Sequence, residues 1–271
     1  MAQAFGINHM TVPGLRYDAL LDLAVSVGAV GVEFRNDLSA PLFHGHAPAI
    51  VADAARSRGL RILALAEVKS FNDYGPAKEE EAKALIAVAK ACGAEAVALI
   101  PRNDGWGVDV PRDNLKRALD GLLPLLRDAG LVGLVEPLGF TVSSLRHKSD
   151  AVAVIATMDA GDTIKLVHDT FHHALAGGGA FHAAQTGLVH ISGVTDPGPA
   201  FDEMTDAHRV LVDGDDRLGN LAQIAALRAD GYSGPLSFEP FSPLVHDLAD
   251  PAPALRASMT FITAGLSQMA A

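Results

Sequence analysis

Two stretches of the sequence decide the fold: Ile164-Lys-Leu-Val-His-Asp-Thr-Phe-His-His173 and Gly187-Leu-Val-His-Ile-Ser-Gly-Val194. Each is a short apolar run that ends in a carboxylate or an imidazole, and a short helix is predicted between them. In sheets of parallel strands the chemistry is presented at the carboxyl ends of the strands. The two stretches therefore indicate an enzyme whose parallel strands are joined by helices.

The same alternation of strand and helix extends through the rest of the chain. Segments with helical periodicity end at glycines such as Gly28, Gly93 and Gly130, and an apolar run follows each of them. Strands are predicted at residues 5–10, 30–35, 60–68, 96–100, 131–137, 163–168, 188–192 and 236–239. Helices are predicted at residues 17–27, 47–58, 77–92, 114–129, 150–158, 170–176, 221–229 and 252–266.

Eight strands and about eight helices in 271 residues predict an α/β protein, a (β/α)8 TIM barrel, rather than an open doubly wound sheet. The first strand is not followed by Gly-x-Gly-x-x-Gly, which argues against a dinucleotide-binding fold. No segment has the composition of a linker. We therefore expect residues 1–271 to form a single barrel domain.

Charge and composition narrow the classes of function. The net charge of -11 opposes binding to nucleic acid or to an anionic membrane surface, so a small molecule is the expected partner. Cys92 is the only cysteine, which excludes an internal disulfide and a metal site made of several thiolates. No run approaches the roughly 18 apolar residues of a membrane span, and no signal peptide is recognised. We expect a cytoplasmic protein, with a homo-oligomer possible.

Four predicted strands end in a side chain that could bind a metal ion: Glu136, Asp169, His190 and Glu239. Taken singly, each is more often a helix cap, a rim salt bridge or a hydrogen-bonded core residue. Four consecutive strand ends meet around one half of a barrel rim, so as a set they predict a divalent metal site. Three carboxylates and one imidazole suit Mn²⁺, Co²⁺ or Zn²⁺, with Mg²⁺ also possible, and leave positions open for substrate oxygens.

Such a site suits proton transfer next to a carbonyl group. A metal that binds the carbonyl and the adjacent hydroxyl of a sugar-like ketone acidifies the C–H between them by stabilising an enediolate. Carboxylates on opposite sides of that carbon can remove and return the proton. Glu136 and Glu239 come from opposite ends of the half rim, so both are candidates for acid/base catalysis as well as metal binding.

The order of the motifs Glu136-Pro, His168-Asp-x-x-His, Val189-His-Ile and Phe238-Glu-Pro-Phe resembles the xylose isomerase-like barrels, a family of sugar phosphate isomerases and epimerases. The resemblance covers nearly the whole chain. Within the family, these motifs and His208-Arg-Val-Leu-Val212 look most like those of the inosose (2-keto-myo-inositol) isomerases. The resemblance implies the four metal ligands named above, a substrate contact for His172, and interchange of a ketone with a neighbouring hydroxyl on a cyclic polyol.

Two branches of the family fit the sequence less well. Ketose 3-epimerases have a glutamate six residues after the strand-five glutamate, where this chain has Val142. Endonuclease IV needs histidines at the ends of strands two and three, where this chain has Glu33-Phe-Arg35 and Glu67-Val-Lys69, although Asp206-Ala-His208 could match one of its motifs. The alternatives left open are isomerisation or epimerisation of an open-chain sugar or keto acid, a phosphodiesterase, and a sugar-binding barrel without catalysis.

Further polar residues near the predicted rim are candidates for hydrogen bonds to the substrate. The alternative interpretation of most of these residues is a solvated charge at the rim. For the residue in the connection after strand seven, it is a place in a polar surface lid. His168 and His173 are interpreted as structural residues. The substrate-binding candidates are His172, Arg209, Lys69, Asn72 and Arg35.

Overall fold

The computed structural model describes residues 3–269, in which eight parallel strands close into a barrel with the order β1-β2-β3-β4-β5-β6-β7-β8. The last strand pairs with the first, so the sheet has no free edge. The predicted (β/α)8 fold is confirmed, whereas one domain for all of residues 1–271 stays a prediction. The strands are β1 Phe5–Asn8, β2 Gly31–Arg35, β3 Arg61–Lys69, β4 Ala96–Ile100, β5 Val132–Val135, β6 Ile164–Asp169, β7 Thr186–Ile191 and β8 Leu236–Phe238.

Helices connect successive strands and pack on the outside of the barrel, where their apolar faces meet the outward-facing side chains of the strands. Several helices end at a glycine in the left-handed conformation, for example Gly28 with a φ of 74°. The helices are α1 Tyr17–Val27, α2 Pro48–Ser57, α3 Pro76–Cys92, α4 Pro111–Ala129, α5 Lys148–Thr157, α6 Thr170–Leu175, α7 Asn220–Ala229, α8 Pro243–His246 and α9 Ala252–Met269. No helix among residues 3–269 is long and apolar enough to span a membrane.

The alternation of side chains along each strand places the candidate ligands at the same end of the barrel. Leu134, Val167 and Leu188 belong to a small buried cluster that is separate from the larger core beneath the helices. Side chains two positions apart on a strand point to the same face. The residues two positions beyond this cluster are Glu136, Asp169 and His190.

Element boundaries differ from the predicted ones by a few residues. The first strand was predicted to reach Met10 but ends at Asn8, because the Asn8 side chain accepts a hydrogen bond from the Met10 amide at 3.0 Å and starts a short 3-10 helix. α4 begins at Pro111, three residues before the prediction, since proline fits the first turn of a helix. The connection after β7 contains two 3-10 helices, Phe201–Glu203 and Asp206–His208.

Candidate metal centre

The side chains of Glu136, Asp169, His190 and Glu239 converge in a single buried cluster. Each can contribute one nitrogen or oxygen atom such that all four atoms lie within 4.8 Å of one another. All four residues are buried. The four strand ends that the sequence predicted to meet are therefore together in space, at the carboxyl end of the barrel.

His190 is held by carboxylates at both ring nitrogens. Its Nε2 atom lies 3.1 Å from Oε2 of Glu33, a residue of β2 that is also buried. Its Nδ1 atom lies 3.3 Å from Oε1 of Glu136 and 3.2 Å from Oε2 of Glu239. A carboxylate at one ring nitrogen orients the ring and favours metal binding at the other. The geometry therefore presents Nδ1 of His190 to the cluster.

Glu239 receives hydrogen bonds on both oxygens. Arg35 donates to Oε1 at 2.7 Å and Asn8 donates to the same atom at 3.1 Å. Arg209 donates to Oε2 at 2.9 Å. These donors fix the carboxylate in one orientation, and they balance part of the negative charge that three buried carboxylates create.

The pKa values of the cluster follow from burial and mutual charge. Burial, reinforced by the carboxylate of Glu239, raises the pKa of Glu136 against the opposing effect of His190. Burial would also raise the pKa of Glu239, but His190, Arg209 and Arg35 outweigh it and hold that pKa below its usual range. Burial alone would lower the pKa of His190, yet the surrounding glutamates raise it well above its usual value. The cluster thus combines opposite charges that stabilise one another.

The donor set fits a divalent cation. One imidazole nitrogen and three carboxylate oxygens that lie within 4.8 Å of one another are close enough to bind a single ion. Three carboxylates and one imidazole suit hard or borderline ions. The residues that would hold the ion are Glu136, Asp169, His190 and Glu239.

A cavity of about 410 Å³, the central cavity, opens beside the cluster and is lined by Glu136 and Glu239. Its volume falls in the range of small-molecule sites. Of the five residues considered for substrate binding, four line the cavity. They are His172, Arg209, Lys69 and Arg35.

Asn72 lies away from the central cavity. Its side-chain nitrogen donates to Ser144 at 2.9 Å, and its side-chain oxygen accepts from the Arg102 amide at 2.9 Å. The residue is buried and joins the loop after β3 to the segments after β4 and β5. The structure thus gives Asn72 a structural role in the loops rather than a place in the cavity.

Arg209 is buried at the cluster instead of lying in a polar surface lid, with only 1% of its surface exposed. It donates to Oδ2 of Asp169 at 2.6 Å in addition to its bond with Glu239. Its guanidinium carbon lies 5.1 Å and 4.5 Å from the ring centroids of Phe171 and Phe241. The two rings and two carboxylates fix the guanidinium group at the edge of the metal site.

His172 lies about one helical turn after Asp169, which orients it. Asp169 Oδ1 accepts a hydrogen bond from the backbone amide of His172 at 2.9 Å, which caps α6. The His172 ring is buried, and its Nδ1 atom has no hydrogen-bond partner among residues 3–269. A buried donor or acceptor of this kind is available to a ligand in the cavity.

Three residues at the site were not among the sequence candidates: Glu33, Asn8 and Glu67. In the sequence, Glu33 and Glu67 stand where endonuclease IV has histidines, and Glu67 is otherwise considered only as a base to test after Glu136 and Glu239. Glu67 lines the central cavity, and burial raises its pKa to about 7. The available signal was an acidic residue inside an apolar strand, which is rare unless the side chain is paired.

The fold and the converging ligands define a class: (β/α)8 barrels with a candidate mononuclear metal centre at the carboxyl ends of their strands. A sequence model of the xylose isomerase-like TIM barrel family matches residues 21–264, and the chain belongs to that family. No curated protein matches the sequence at a significant level.

Solved structures agree with this assignment. A xylose isomerase domain-containing protein from Salmonella typhimurium is 31% identical in sequence and superposes with a TM-score of 0.87. The match covers 99% of this chain and 98% of the Salmonella chain. The zinc-bound IolI protein is 20% identical, with coverage of 98% and 99% and a TM-score of 0.85. An L-ribulose 3-epimerase is 22% identical, with coverage of 99% and 95% and a TM-score of 0.72. The last two share the fold.

Proposed function

We propose that the protein is a divalent-metal-dependent isomerase or epimerase that transfers a proton at a carbon next to the carbonyl of a sugar or polyol ketone. The observation that carries the proposal is the buried convergence of three carboxylates and one imidazole within 4.8 Å beside a cavity of about 410 Å³. A divalent ion bound there would polarise the carbonyl and the adjacent hydroxyl of the substrate. The fold shared with L-ribulose 3-epimerase and with zinc-bound IolI supports the same class.

Glu136 and Glu239 are the proposed acid/base residues. One carboxylate takes the proton from the carbon that carries the hydroxyl, and the electron pair moves to the carbonyl oxygen to give an enediolate. In epimerisation a carboxylate returns a proton to the opposite face of the same carbon. In isomerisation the proton returns to the former carbonyl carbon, and the hydroxyl proton moves to the former carbonyl oxygen, so that ketone and hydroxyl exchange places. Glu239 is held by Arg35, Arg209 and Asn8, whereas among residues 3–269 the side chain of Glu136 has only His190 as a hydrogen-bond partner. Glu136 is therefore the freer of the two to exchange a proton with a substrate.

Four residues that line the central cavity are proposed to orient the substrate. His172 has an unpartnered Nδ1, and Arg209 lies against two metal ligands, so both are placed to contact the oxygens next to the reacting carbon. Arg35, which donates to Glu239, and Lys69 also line the cavity and would contact further hydroxyls of the substrate.

The particular substrate that we propose is an inosose, a cyclic keto-inositol, converted into its isomer. The motifs around Glu136, Asp169, His190 and Arg209 resemble those of inosose isomerases, and a buried centre of this composition suits a vicinal keto-alcohol. The alternative is an open-chain ketose or keto acid. Val142, which replaces the extra glutamate of ketose 3-epimerases, does not line the cavity and is 46% exposed. The absence of that glutamate argues against a ketose 3-epimerase.

Deuterium exchange distinguishes these reactions. Protein loaded with Mn²⁺, Co²⁺ or Zn²⁺ is incubated in deuterated water with inososes, common ketoses and keto acids, and proton NMR follows the carbon next to the carbonyl. We expect exchange and isomer formation with an inosose, abolished by removal of the metal. Exchange with an open-chain ketose alone would select the alternative substrate, and no exchange with any ketone would refute the proposed class.

Three variants test the proposed roles in the same assay. Glu136→Gln and Glu239→Gln should each lower turnover by about 10² or more, the usual scale for loss of a general base. His172→Asn should raise KM more than it lowers kcat, because its proposed role is to bind a substrate oxygen. If both glutamine variants isomerise at the wild-type rate with metal bound, the base lies elsewhere on the rim, and Glu67 is the next residue to test.

A further inference from the structure

A second cavity of about 320 Å³, the side cavity, lies beside the start of α5 and the segment that follows α6. His172 is the one residue that lines both cavities. The proposed reaction assigns no role to the side cavity. Its lining is nevertheless rich in groups that carry or can carry positive charge: Arg146, His147, Lys148, His172, His173 and His182.

The arginine and the lysine of the side cavity lack acidic partners in the described part of the chain. Neither Arg146 nor Lys148 forms a salt bridge among residues 3–269. Arg146 donates to the carbonyl oxygens of Gly139 and Leu175, each at 2.9 Å. These bonds fix the guanidinium group but leave its charge uncompensated. In a protein of net charge -11, two partly buried cations without a carboxylate are unusual.

Lys148 is held among neutral groups. Its Nζ atom lies 2.7 Å from Nδ1 of His168 and donates to the carbonyl oxygen of Phe181 at 3.4 Å. Burial outweighs the attraction of the Asp169 carboxylate, which is not in contact with the ammonium group, and lowers the pKa of Lys148 to about 7. The ammonium group has therefore lost part of its hydration without gaining an anion in return.

The acidic groups near the side cavity are already paired. Asp169 is the one carboxylate in the lining, and Arg209 binds it at 2.6 Å. Asp150, in the first turn of α5, pairs with Arg112 at 2.8 Å. Among the described residues, no carboxylate remains to balance Arg146 and Lys148.

His173 adds an independent sign of a missing ligand. The residue lines the side cavity, is only 7% exposed, and its Nδ1 atom has no hydrogen-bond partner within the described part of the chain. Buried polar atoms in proteins are nearly always hydrogen-bonded, so an unpartnered one marks the place of a ligand or water. α5 also begins here without a side-chain cap, and of its first three amides only that of Asp150 donates to a backbone carbonyl within the described residues.

We propose that the side cavity binds a phosphate-like oxyanion. A tetrahedral dianion would balance both Arg146 and Lys148, and its several oxygens could accept from Lys148, His173 and the first turn of α5 at once. The anion can be a free phosphate ion or the phosphate group of a small molecule, since the recognising chemistry is the same. The side cavity shares Asp169 and His172 with the central site, but the proposed anion contacts use neither Glu136 nor Glu239.

Calorimetric titration of the metal-loaded protein with inorganic phosphate, in a phosphate-free buffer at pH 7, tests the proposal. We expect saturable binding that weakens about tenfold or more in Lys148→Met, the scale of one charge-assisted hydrogen bond. His173→Phe should weaken binding several-fold. Lys165→Met is the matched control, because this lysine lies on β6 and lines neither cavity, and the variant should bind phosphate as the wild type does.

Parallel titrations with fructose 6-phosphate and fructose identify the source of the anion. A preference for the phosphorylated sugar that disappears in Lys148→Met would assign the site to the phosphate group of a small molecule, and binding of inorganic phosphate alone would assign it to the free ion. Phosphate bound at the central metal would be insensitive to Lys148→Met. The proposal is overturned if phosphate does not bind, or if Lys148→Met and His173→Phe both bind it like the wild type. If one variant fails to fold in circular dichroism, the other decides.

Discussion

Replacing Glu33 by glutamine should weaken metal binding although Glu33 is not one of the four proposed ligands. Glu33 Oε2 lies 3.1 Å from Nε2 of His190, and both side chains are at most 2% exposed. In the metal-bound protein, Nδ1 would face the ion and Nε2–H would donate to Glu33, so the carboxylate fixes the tautomer and increases the basicity of the ring.

The expected loss is about 10- to 100-fold in metal affinity, the usual effect of removing such a partner, which corresponds to about 1.4–2.7 kcal/mol. Glutamine keeps an oxygen that can accept from Nε2–H, so the variant should lose the charge but retain the tautomer. Glu33 also accepts a hydrogen bond from the Ser237 hydroxyl, and in the variant the side-chain amide nitrogen of the glutamine can donate to that hydroxyl instead. The fold should therefore survive the substitution.

Competition with a fluorescent zinc chelator measures the affinity at one fixed pH, because metal binding releases protons and varies with pH. Glu95→Gln is the matched control: Glu95 pairs with Arg61 at 2.6 Å on the surface, at the opposite end of the barrel. The control should bind zinc as the wild type does. Equal zinc affinity in Glu33→Gln and wild type would refute the role given to this carboxylate.

Three further predictions follow from the site. Burial raises the pKa of Glu67 to about 7, so ionising this carboxyl group destabilises the folded protein by nothing below pH 4.5 and by as much as about 3 kcal/mol above pH 7. Glu67→Gln should therefore be more stable than the wild type in urea unfolding at pH 8 but not at pH 4.5. An equal difference in unfolding free energy between variant and wild type at the two pH values would contradict this prediction. A methyl group at Gly139 would overlap the carbonyl oxygen of His172, so Gly139→Ala should lower kcat/KM several-fold, whereas Gly161→Ala, with open space around it, should not. His190→Ala should lower bound metal and activity together, as elemental analysis of the purified variant would show; full metal content with lost activity would contradict its role as a ligand.

The sequence alone predicted the barrel and the residues at the ends of four strands. Both depend on local patterns: short apolar runs, helical periodicity, and glycines where helices end. The two-residue repeat of a strand then fixes which side chains share a face. Glu136, Asp169, His190 and Glu239 could be grouped in advance because consecutive strands of a closed parallel barrel place their carboxyl ends side by side.

Tertiary structure decided which groups bind these residues. Glu33 meets His190 across 157 positions of sequence, and Arg209 meets Asp169 across 40. Such pairs leave no periodic signal in the sequence, because each forms only where the closed barrel and a long loop bring two polar side chains together. Asn72 shows the converse: its position after β3 suggested the cavity, but its amide is used within the loops. The sequence determined which residues lie at the ends of the strands. Tertiary packing determined which other side chains contact those residues and line the cavity.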